Sequence, residues 1–417
     1  MEKIKPYERT DTTHLFDQLN IVLYLTGYTN FWVQKVNLPK KFTKIYDYMN
    51  MVLHVLCIAF SIIEFGSLFT QNELTTKQQA DRNVIAISNP IMHVYSIKYF
   101  LKRKETRQMF YYIAVLLKEV HNDLDVERSM IRKLKAYLIA YAGSSFVALT
   151  LYGVYSTVKY ITEGAPFITV ITMWPEIHDR STLAEMARIV FYLFWWISFY
   201  RDSAFYLLIL SMLIGLGHQY MNLQSYFYSL QRIFDDNKMS QKEKEDKYVE
   251  SFIYGIKLHT STIWCTNQCQ LICSEIYASQ VLLLTIILIN FLPALVNSRE
   301  DMELACAHFP SFIFTLVIMG YVMWNAGDIT VEAAKLPDAM YSSGWENCYD
   351  QSAVRIRKLI VVAMTQAQQP IVLTAFGVVE LSYETYLAVK ILHHVILPFI
   401  RDYVLRKRID NVSLSRY

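Results

Sequence analysis

The sequence has little of the charge that a soluble protein carries on its surface. Only 18% of its 417 residues are charged, against roughly a quarter in ordinary soluble domains. Because 53% of the residues are hydrophobic, the composition indicates a membrane protein. Twelve glycines and ten prolines are too few for a collagen-like or low-complexity chain, and the 14% of aromatic residues exclude a disordered one.

Several kinds of functional motif are also missing. The six cysteines lack the close pairs of a zinc site or a disulfide framework, and Cys265, Cys269 and Cys273 follow a four-residue spacing that is typical of packing on one helix face. A net charge of +3 without a basic stripe argues against nucleic acid as a partner. No phosphate-binding loop, HExxH or GxSxG motif is present, so we expect no enzyme activity, no cofactor and no metal.

Apolar stretches predict seven membrane-spanning helices. A helix needs about 20 mostly apolar residues to cross the bilayer, because its backbone polar groups must be satisfied within the segment. The sequence offers such stretches at 49–69, 83–101, 137–158, 189–217, 281–296, 309–327 and from about 371 onwards.

The distribution of basic residues predicts the orientation. Most of the 40 Lys and Arg residues fall in the connecting segments 1–48, 102–136, 218–270 and 325–370. Since basic residues concentrate on the cytoplasmic side, these segments and the N-terminus are expected inside the cell. The predicted fold is therefore an all-α, seven-transmembrane-helix membrane protein with an intracellular N-terminus, a cytoplasmic helical anchor region and an extracellular C-terminus.

The same reading divides the chain into seven regions in order. They are an intracellular N-terminal region (1–48), transmembrane helices 1–4 with the outer loop 159–187 as a ligand-binding bundle (49–217), cytoplasmic helical extensions (218–270), transmembrane helices 5–6 (271–327), cytoplasmic anchor helices (328–370), a pore-lining helix 7 (371–401) and an extracellular tail (402–417).

The last 80 residues carry a series of short motifs. In order, they are Ala339-Met340-Tyr341, Trp345, Arg355, Lys358, Gln366-Ala367-Gln368-Gln369-Pro370, Thr374-Ala375, Leu381-Ser382 and Thr385-Tyr386. With the intracellular N-terminus, which is opposite to that of G-protein-coupled receptors, this series resembles the insect odorant receptor family. His393-His394 and the extension to Tyr417 depart from the family's usual ending.

The resemblance implies a function and partners. Such a chain is expected to be an odour-tuning subunit of a ligand-gated, non-selective cation channel, in a heterotetramer with an odorant co-receptor subunit. Its ligand would be a volatile odorant, and its location the plasma membrane of the olfactory neuron dendrite, in contact with membrane lipid. A gustatory-type channel subunit is the main alternative. A proton-coupled transporter is another, because the chain has charges inside predicted spans.

Helix faces in the outer half of the membrane supply candidate ligand-binding residues. Thr150 and Thr157 are interpreted as donors to an oxygenated ligand such as an ester, although the same faces also suit ordinary helix packing. Arg201 and Asp202 are interpreted as a local ion pair. The full set of ligand-binding candidates is Ser88, Ile91, Thr150, Gly153, Thr157, Tyr192, Trp195 and Phe199.

One face of the last helix supplies candidate pore residues. Val395, Pro398, Phe399 and Asp402 follow the spacing of a single helix face. The family resemblance places an apolar gate at Phe399. With Val395 it would form an apolar constriction, and Asp402 would add a ring of carboxylates that favours cations. Packing against a neighbouring helix is the alternative role of this face.

Overall fold

The computed structural model describes residues 7–28, 30–34, 36, 38–297, 302–349 and 353–387. They form ten α-helices, one short hairpin of strands and the first turn of a further helix at 383–387. A π-helical turn (Tyr112–Leu116) and two 3-10 turns (Leu230–Ile233, Trp345–Asn347) lie between helices. The helices and strands are α1 (Asp11–Leu25), α2 (Lys40–Thr70), α3 (Thr76–Leu101), α4 (Arg103–Tyr111), α5 (Leu124–Glu163), α6 (Thr182–Ser229), α7 (Gln241–Asn297), α8 (Met302–Ala334), α9 (Leu336–Tyr341), α10 (Ala353–Ala367), β1 (Thr374–Ala375) and β2 (Val379–Glu380).

Side chains at the helix ends explain where several long helices begin and stop. Thr75 and Gln78 form a reciprocal capping box at the start of α3, and Ser181 caps α6. The carboxylate of Asp123 accepts two backbone N–H groups at the start of α5. The same helix ends at Gly164, whose positive φ of 61° suits a residue without a side chain.

Three of the described helices are long and apolar enough to cross a membrane. They are Lys40–Thr70, Leu124–Glu163 and the continuous stretch Thr182–Ile233. In the third, 89% of an apolar 18-residue stretch is buried inside the protein, whereas the corresponding stretches of the first two are 28% and 22% buried. We conclude that α6 is the central helix and that α2 and α5 present apolar surface outward. Helices α3, α7 and α8 contain the predicted spans 83–101, 281–296 and 309–327.

The main apolar core is centred on α6, α7 and α8 and extends to α9 and α10 and to α1 and the π-helical turn. Large aromatic side chains fill it, and Tyr220, Phe227, Tyr248 and Phe252 are completely buried. Both tyrosine hydroxyls have hydrogen-bond partners. That of Tyr220 bonds Thr266 at 2.8 Å, and that of Tyr248 bonds Ser343. Burying aromatic surface of this size makes the region a large packed unit.

The prediction that a helix starts at residue 371 is wrong for its first part. Strands β1 and β2 pair antiparallel there, and Gly377 turns the chain between them with a φ of 72°. Gln270 of α7 holds the hairpin, because its side-chain amide accepts from the Thr374 N–H at 2.9 Å and donates to the Thr374 carbonyl at 2.8 Å. Helical structure resumes at residue 383.

The adjacent charges Arg201 and Asp202 each bind a different helix. The Nη1 of Arg201 donates to the side-chain oxygen of Asn50 in α2 at 2.7 Å. A carboxylate oxygen of Asp202 lies 3.4 Å from Nδ1 of His93 in α3. The two buried charges therefore tie α6 to its neighbours, where the sequence predicted a local ion pair.

Candidate ligand-binding site

An open cavity of about 320 Å³ lies between the C-terminal half of α5 and the N-terminal half of α6. Phe167, from the segment that connects these helices, contributes one wall. The cavity brings together four of the eight residues that the sequence predicted for ligand binding, namely Thr150, Gly153, Thr157 and Tyr192. Val154 and Val158 complete the lining.

Tyr192 is the central side chain of this cavity. Its hydroxyl donates to the backbone carbonyl of Leu149 at 2.9 Å, which joins α6 to α5. The ring packs directly over Gly153, where a side chain would overlap the tyrosine hydroxyl. Phe167 meets the ring edge-on, at 5.7 Å between ring centroids. Glycine at 153 is therefore required for this close approach of the two helices.

The two threonines of the cavity already use their hydroxyl protons. Thr150 donates to the carbonyl of Phe146, and Thr157 donates to the carbonyl of Gly153, both at 2.8 Å. A carbonyl oxygen only accepts, so each hydroxyl must be the donor in these bonds. The hydroxyls keep lone pairs for a ligand but have no second proton. This arrangement differs from the predicted role as donors to an ester.

The other four predicted residues do not line this cavity. Trp195 lies in a separate apolar cluster, where it packs edge-on to Tyr152 at 5.6 Å and to Phe199 at 6.3 Å. Ser88 bonds the carbonyl of Ile85 in its own helix at 3.4 Å, and Ile91 is partly buried on the same helix. These four residues lie away from the cavity around Tyr192, and their role in ligand binding stays a prediction.

A second cavity, of about 470 Å³, lies between the N-terminal end of α3 and the C-terminal end of α5. The hydroxyl of Tyr152 donates to Asp81 at 3.2 Å, and the Nζ of Lys77 sits 3.1 Å from the centre of the Tyr155 ring. Burial raises the pKa of Asp81 to about 6, although Lys77 and Tyr152 act in the opposite direction. This second cavity lies next to the segment that contains Phe167.

The segment between α5 and α6 is folded, and side chains outside it bind its backbone carbonyls. The side-chain amide of Gln71 donates to the carbonyls of Thr172 and Pro175, both at 3.0 Å. The guanidinium of Arg188 donates to the carbonyl of Glu176 at 2.7 Å. Phe167 was missed from the sequence because such a segment has no helical period to show which side chains point inward.

The buried cysteines of α7 take part in packing. Cys265, Cys269 and Cys273 are free thiols and completely buried. The sulfur of Cys269 lies 3.9 Å from the hydroxyl of Tyr277. In the described ranges, no group of three or more His, Cys, Asp or Glu side chains is placed to hold a metal ion.

The predicted pore residues Val395, Pro398, Phe399 and Asp402 lie outside the residues that the structure describes. The first turn of that helix is within them, and it packs on α8. Trp324 and Tyr386 meet edge-on at 5.2 Å between ring centroids.

Comparison with known proteins gives a family match and a structural match. The family model described as "7tm Odorant receptor" matches residues 84–390. The fold is similar to that of the insect olfactory receptor OR5 from Machilis hrabei in complex with eugenol, with a TM-score of 0.71, 12% identity and coverage of 94% of this chain and 100% of that chain. A second structure of the same receptor gives a TM-score of 0.66, 13% identity and coverage of 95% and 99%. No curated protein matches the sequence.

Proposed function

Because this chain belongs to the 7tm odorant receptor family, we propose that it is an odour-tuning subunit of a ligand-gated, non-selective cation channel. The family match, which spans residues 84–390, is the observation that carries this proposal. In it, the chain assembles with an odorant co-receptor subunit into a heterotetramer in the plasma membrane of an olfactory neuron. A volatile ligand binds in the outer half of the membrane and opens a central pore.

The proposed ligand site is the cavity around Tyr192. Its volume of about 320 Å³ falls at the small end of ligand pockets, which span ~300–1,000 Å³. Its walls are aromatic and aliphatic, apart from three hydroxyls that already donate to backbone carbonyls. These hydroxyls accept hydrogen bonds, so we propose that the preferred ligand carries a donor such as an alcohol group.

A matched pair of volatiles tests the ligand class. A primary alcohol and its acetate ester share the same carbon chain, but only the alcohol has a proton to donate. The alcohol is expected to activate the receptor at a lower concentration than the ester, with half-maximal concentrations read from dose-response curves. A lower half-maximal concentration for the ester would contradict the assignment of the hydroxyls as acceptors.

A chain of contacts supports coupling between this cavity and the pore helix. Lys133, near the inner end of α5, forms an ion pair with Asp328 of α8. Asp328 also accepts a hydrogen bond from the hydroxyl of Tyr383. Tyr383 stands in the first turn of the final helix. We expect a ligand that shifts α5 against α6 to change the position of this turn.

The pore itself is proposed from the sequence. Val395 and Phe399 would form the apolar gate, Pro398 would shape the same face, and Asp402 would attract cations at the outer mouth. Asp402→Lys places a positive charge there and is expected to lower cation permeability. Unchanged selectivity would remove this residue from the pore.

Whole-cell recording tests the proposed function directly. Cells that express this chain with and without an odorant co-receptor subunit are exposed to a panel of volatile alcohols, esters and aldehydes. Evoked current only in the co-expressing cells is the expected result. Evoked current from the chain alone would favour the gustatory-type alternative.

A further inference from the structure

A third cavity opens on the outward side of the protein, between α2 and α6. Its volume is about 740 Å³, and its surface is almost entirely apolar. Met49, Val52 and Leu56 form the wall on α2, and all three are exposed. Trp196 and Ile197 form the facing wall on α6. Since α2 is one of the helices that present apolar surface outward, we expect this groove to face the hydrocarbon of the bilayer.

A buried positive charge lines this apolar groove. Arg201 is only 7% exposed, and its Nη1 donates to Asn50. Its Nη2 is buried and has no hydrogen-bond partner in the part of the chain that the structure describes. A guanidinium with an unused donor strongly favours a bound anionic or oxygen-rich group, because leaving such a donor unpaired is costly.

Exposed lysines lead to the groove along α2. Lys40, Lys41 and Lys44 are all exposed at the start of this helix, before the predicted span begins at residue 49. Lys41, Lys44, Tyr48 and Val52 follow the spacing of one helix face. At a rise of about 1.5 Å per residue, Lys44 stands roughly 12 Å from Val52 along the helix axis. This distance suits a molecule with a charged head and an apolar chain.

The surroundings of these lysines are also typical of a membrane surface. Phe42 and Ile45 lie among them and are exposed, at 46% and 62%. An exposed helical segment with basic and large apolar side chains is the pattern of a helix at the headgroup level of a bilayer. The carboxylate of Asp47, the nearest acidic group on α2, accepts the Tyr24 hydroxyl at 2.8 Å.

We propose that the groove between α2 and α6 binds one anionic phospholipid of the inner leaflet. One acyl chain lies along Val52 and Leu56, opposite Trp196 and Ile197. The glycerol ester oxygens or the phosphate accept from Arg201, and the charged headgroup lies near Lys41 and Lys44. Basic side chains beside the inner surface of a membrane attract anionic lipids in this way. The site is separate from the cavity around Tyr192 and does not depend on the proposed odorant.

Lipid binding to the purified full-length chain in neutral detergent tests this proposal. Dioctanoyl phosphatidylglycerol is titrated, with dioctanoyl phosphatidylcholine as the neutral counterpart, and bound lipid is counted by native mass spectrometry. We expect saturable binding of the anionic lipid and much weaker binding of the neutral one. The triple variant K40Q/K41Q/K44Q should weaken binding of the anionic lipid about tenfold or more. Arg201 is kept intact, because it also bonds Asn50.

Two matched controls distinguish binding at a defined site from non-specific attraction of anionic lipid to basic side chains. K238Q/K242Q/K247Q removes the same charge from exposed positions around the start of α7 and should leave binding unchanged. Leu56→Trp fills the groove and should reduce binding, whereas Val55→Trp, on an exposed neighbouring position outside the groove, should not. Equal binding of the two lipids, equal effects of the two triple variants, or full binding to Leu56→Trp would each overturn the proposal.

Discussion

The hydroxyl of Tyr383 donates to a carboxylate oxygen of Asp328. The other oxygen of the same carboxylate pairs with Lys133. One acidic side chain on α8 thus joins α5, which lines the proposed ligand cavity, to the first turn of the final helix. These are the two places where ligand binding and pore opening are proposed to occur.

Tyr383→Phe is the first test of this connection. The change removes the hydroxyl and keeps the ring, so the bond to Asp328 is lost with little loss of packing. A hydrogen bond to a charged group contributes about 1.5–3 kcal/mol, which is enough to shift a closed-open equilibrium more than tenfold. We expect a clear shift of the half-maximal ligand concentration or of the maximal current, measured in cells that also express the co-receptor. Tyr386→Phe is the matched control, since the Tyr386 ring packs on Trp324. A curve identical to wild type for Tyr383→Phe would contradict the proposed coupling.

Gly153→Ala is the second test, and it concerns the ligand cavity. The added methyl group would overlap the hydroxyl of Tyr192, so the ring must move and the bond to Leu149 is lost. We expect the half-maximal concentration of the activating volatile to rise about tenfold, for a loss of about 1.4 kcal/mol of binding free energy. Gly143→Ala on the same helix is the control, because an added methyl group there meets no other atom within 4 Å. Equal curves for both variants would argue against this cavity as the ligand site.

Part of this site could be predicted from the sequence because it lies on helices. The 3.6-residue period puts Thr150, Gly153 and Thr157 on one face of α5, and the structure gathers them around Tyr192. The same rule placed Trp195 there as well, yet Trp195 packs into a different cluster. Helix period shows which residues share a face but does not show which neighbour that face meets.

The features that were missed depend on contacts between distant parts of the chain. Phe167 belongs to a connecting segment without a period, and its position depends on clamps from Gln71 and Arg188. The hairpin around Gly377 is held by Gln270, which is more than 100 residues earlier in the sequence. Local sequence patterns predict neither of these contacts. The apolar stretch from residue 371 therefore predicts a continuous helix, although its first part forms the hairpin.

Glu64→Ala is the third test, and it concerns a polar contact buried between α2 and α3. The side-chain nitrogen of Asn89 donates to both carboxylate oxygens of Glu64 at 2.9 Å, and Glu64 is completely buried. The alanine variant leaves the amide of Asn89 without an acceptor, at a cost of ~1–3 kcal/mol. We expect a lower melting temperature in detergent and less receptor at the cell surface. Glu64→Gln keeps an acceptor oxygen, so its melting temperature should lie between those of wild type and Glu64→Ala. Equal melting temperatures for all three proteins would contradict a stabilising role.

The last test uses pH and a buried carboxylate in the first turn of α5. Glu127 accepts hydrogen bonds from the hydroxyl and the backbone N–H of Thr12, the latter at 3.1 Å, from Asn122 at 2.8 Å and from the Nζ of Lys118 at 3.0 Å. Burial alone would raise the pKa of Glu127, but these hydrogen bonds and the charge of Lys118 outweigh it and lower the pKa from 4.5 to about 2. Because the folded pKa is the lower one, the carboxylate stabilises the fold above pH 4.5. That contribution, about 3 kcal/mol, is lost as the pH falls from 4.5 towards 2.

Glu127→Gln isolates this contribution from that of the other carboxylates. The amide cannot ionise, so the variant should melt at a lower temperature than wild type at pH 7, and the difference should shrink as the pH falls below 4.5. Thermal unfolding in detergent at several values between pH 7 and pH 3 measures that difference. Asp125→Asn is the control, since the Asp125 side chain is 92% exposed and pairs with Arg128 on the surface. A difference between Glu127→Gln and wild type that stays constant down to pH 3 would show that Glu127 acts by packing, because only an ionising group produces a stabilisation that acid removes.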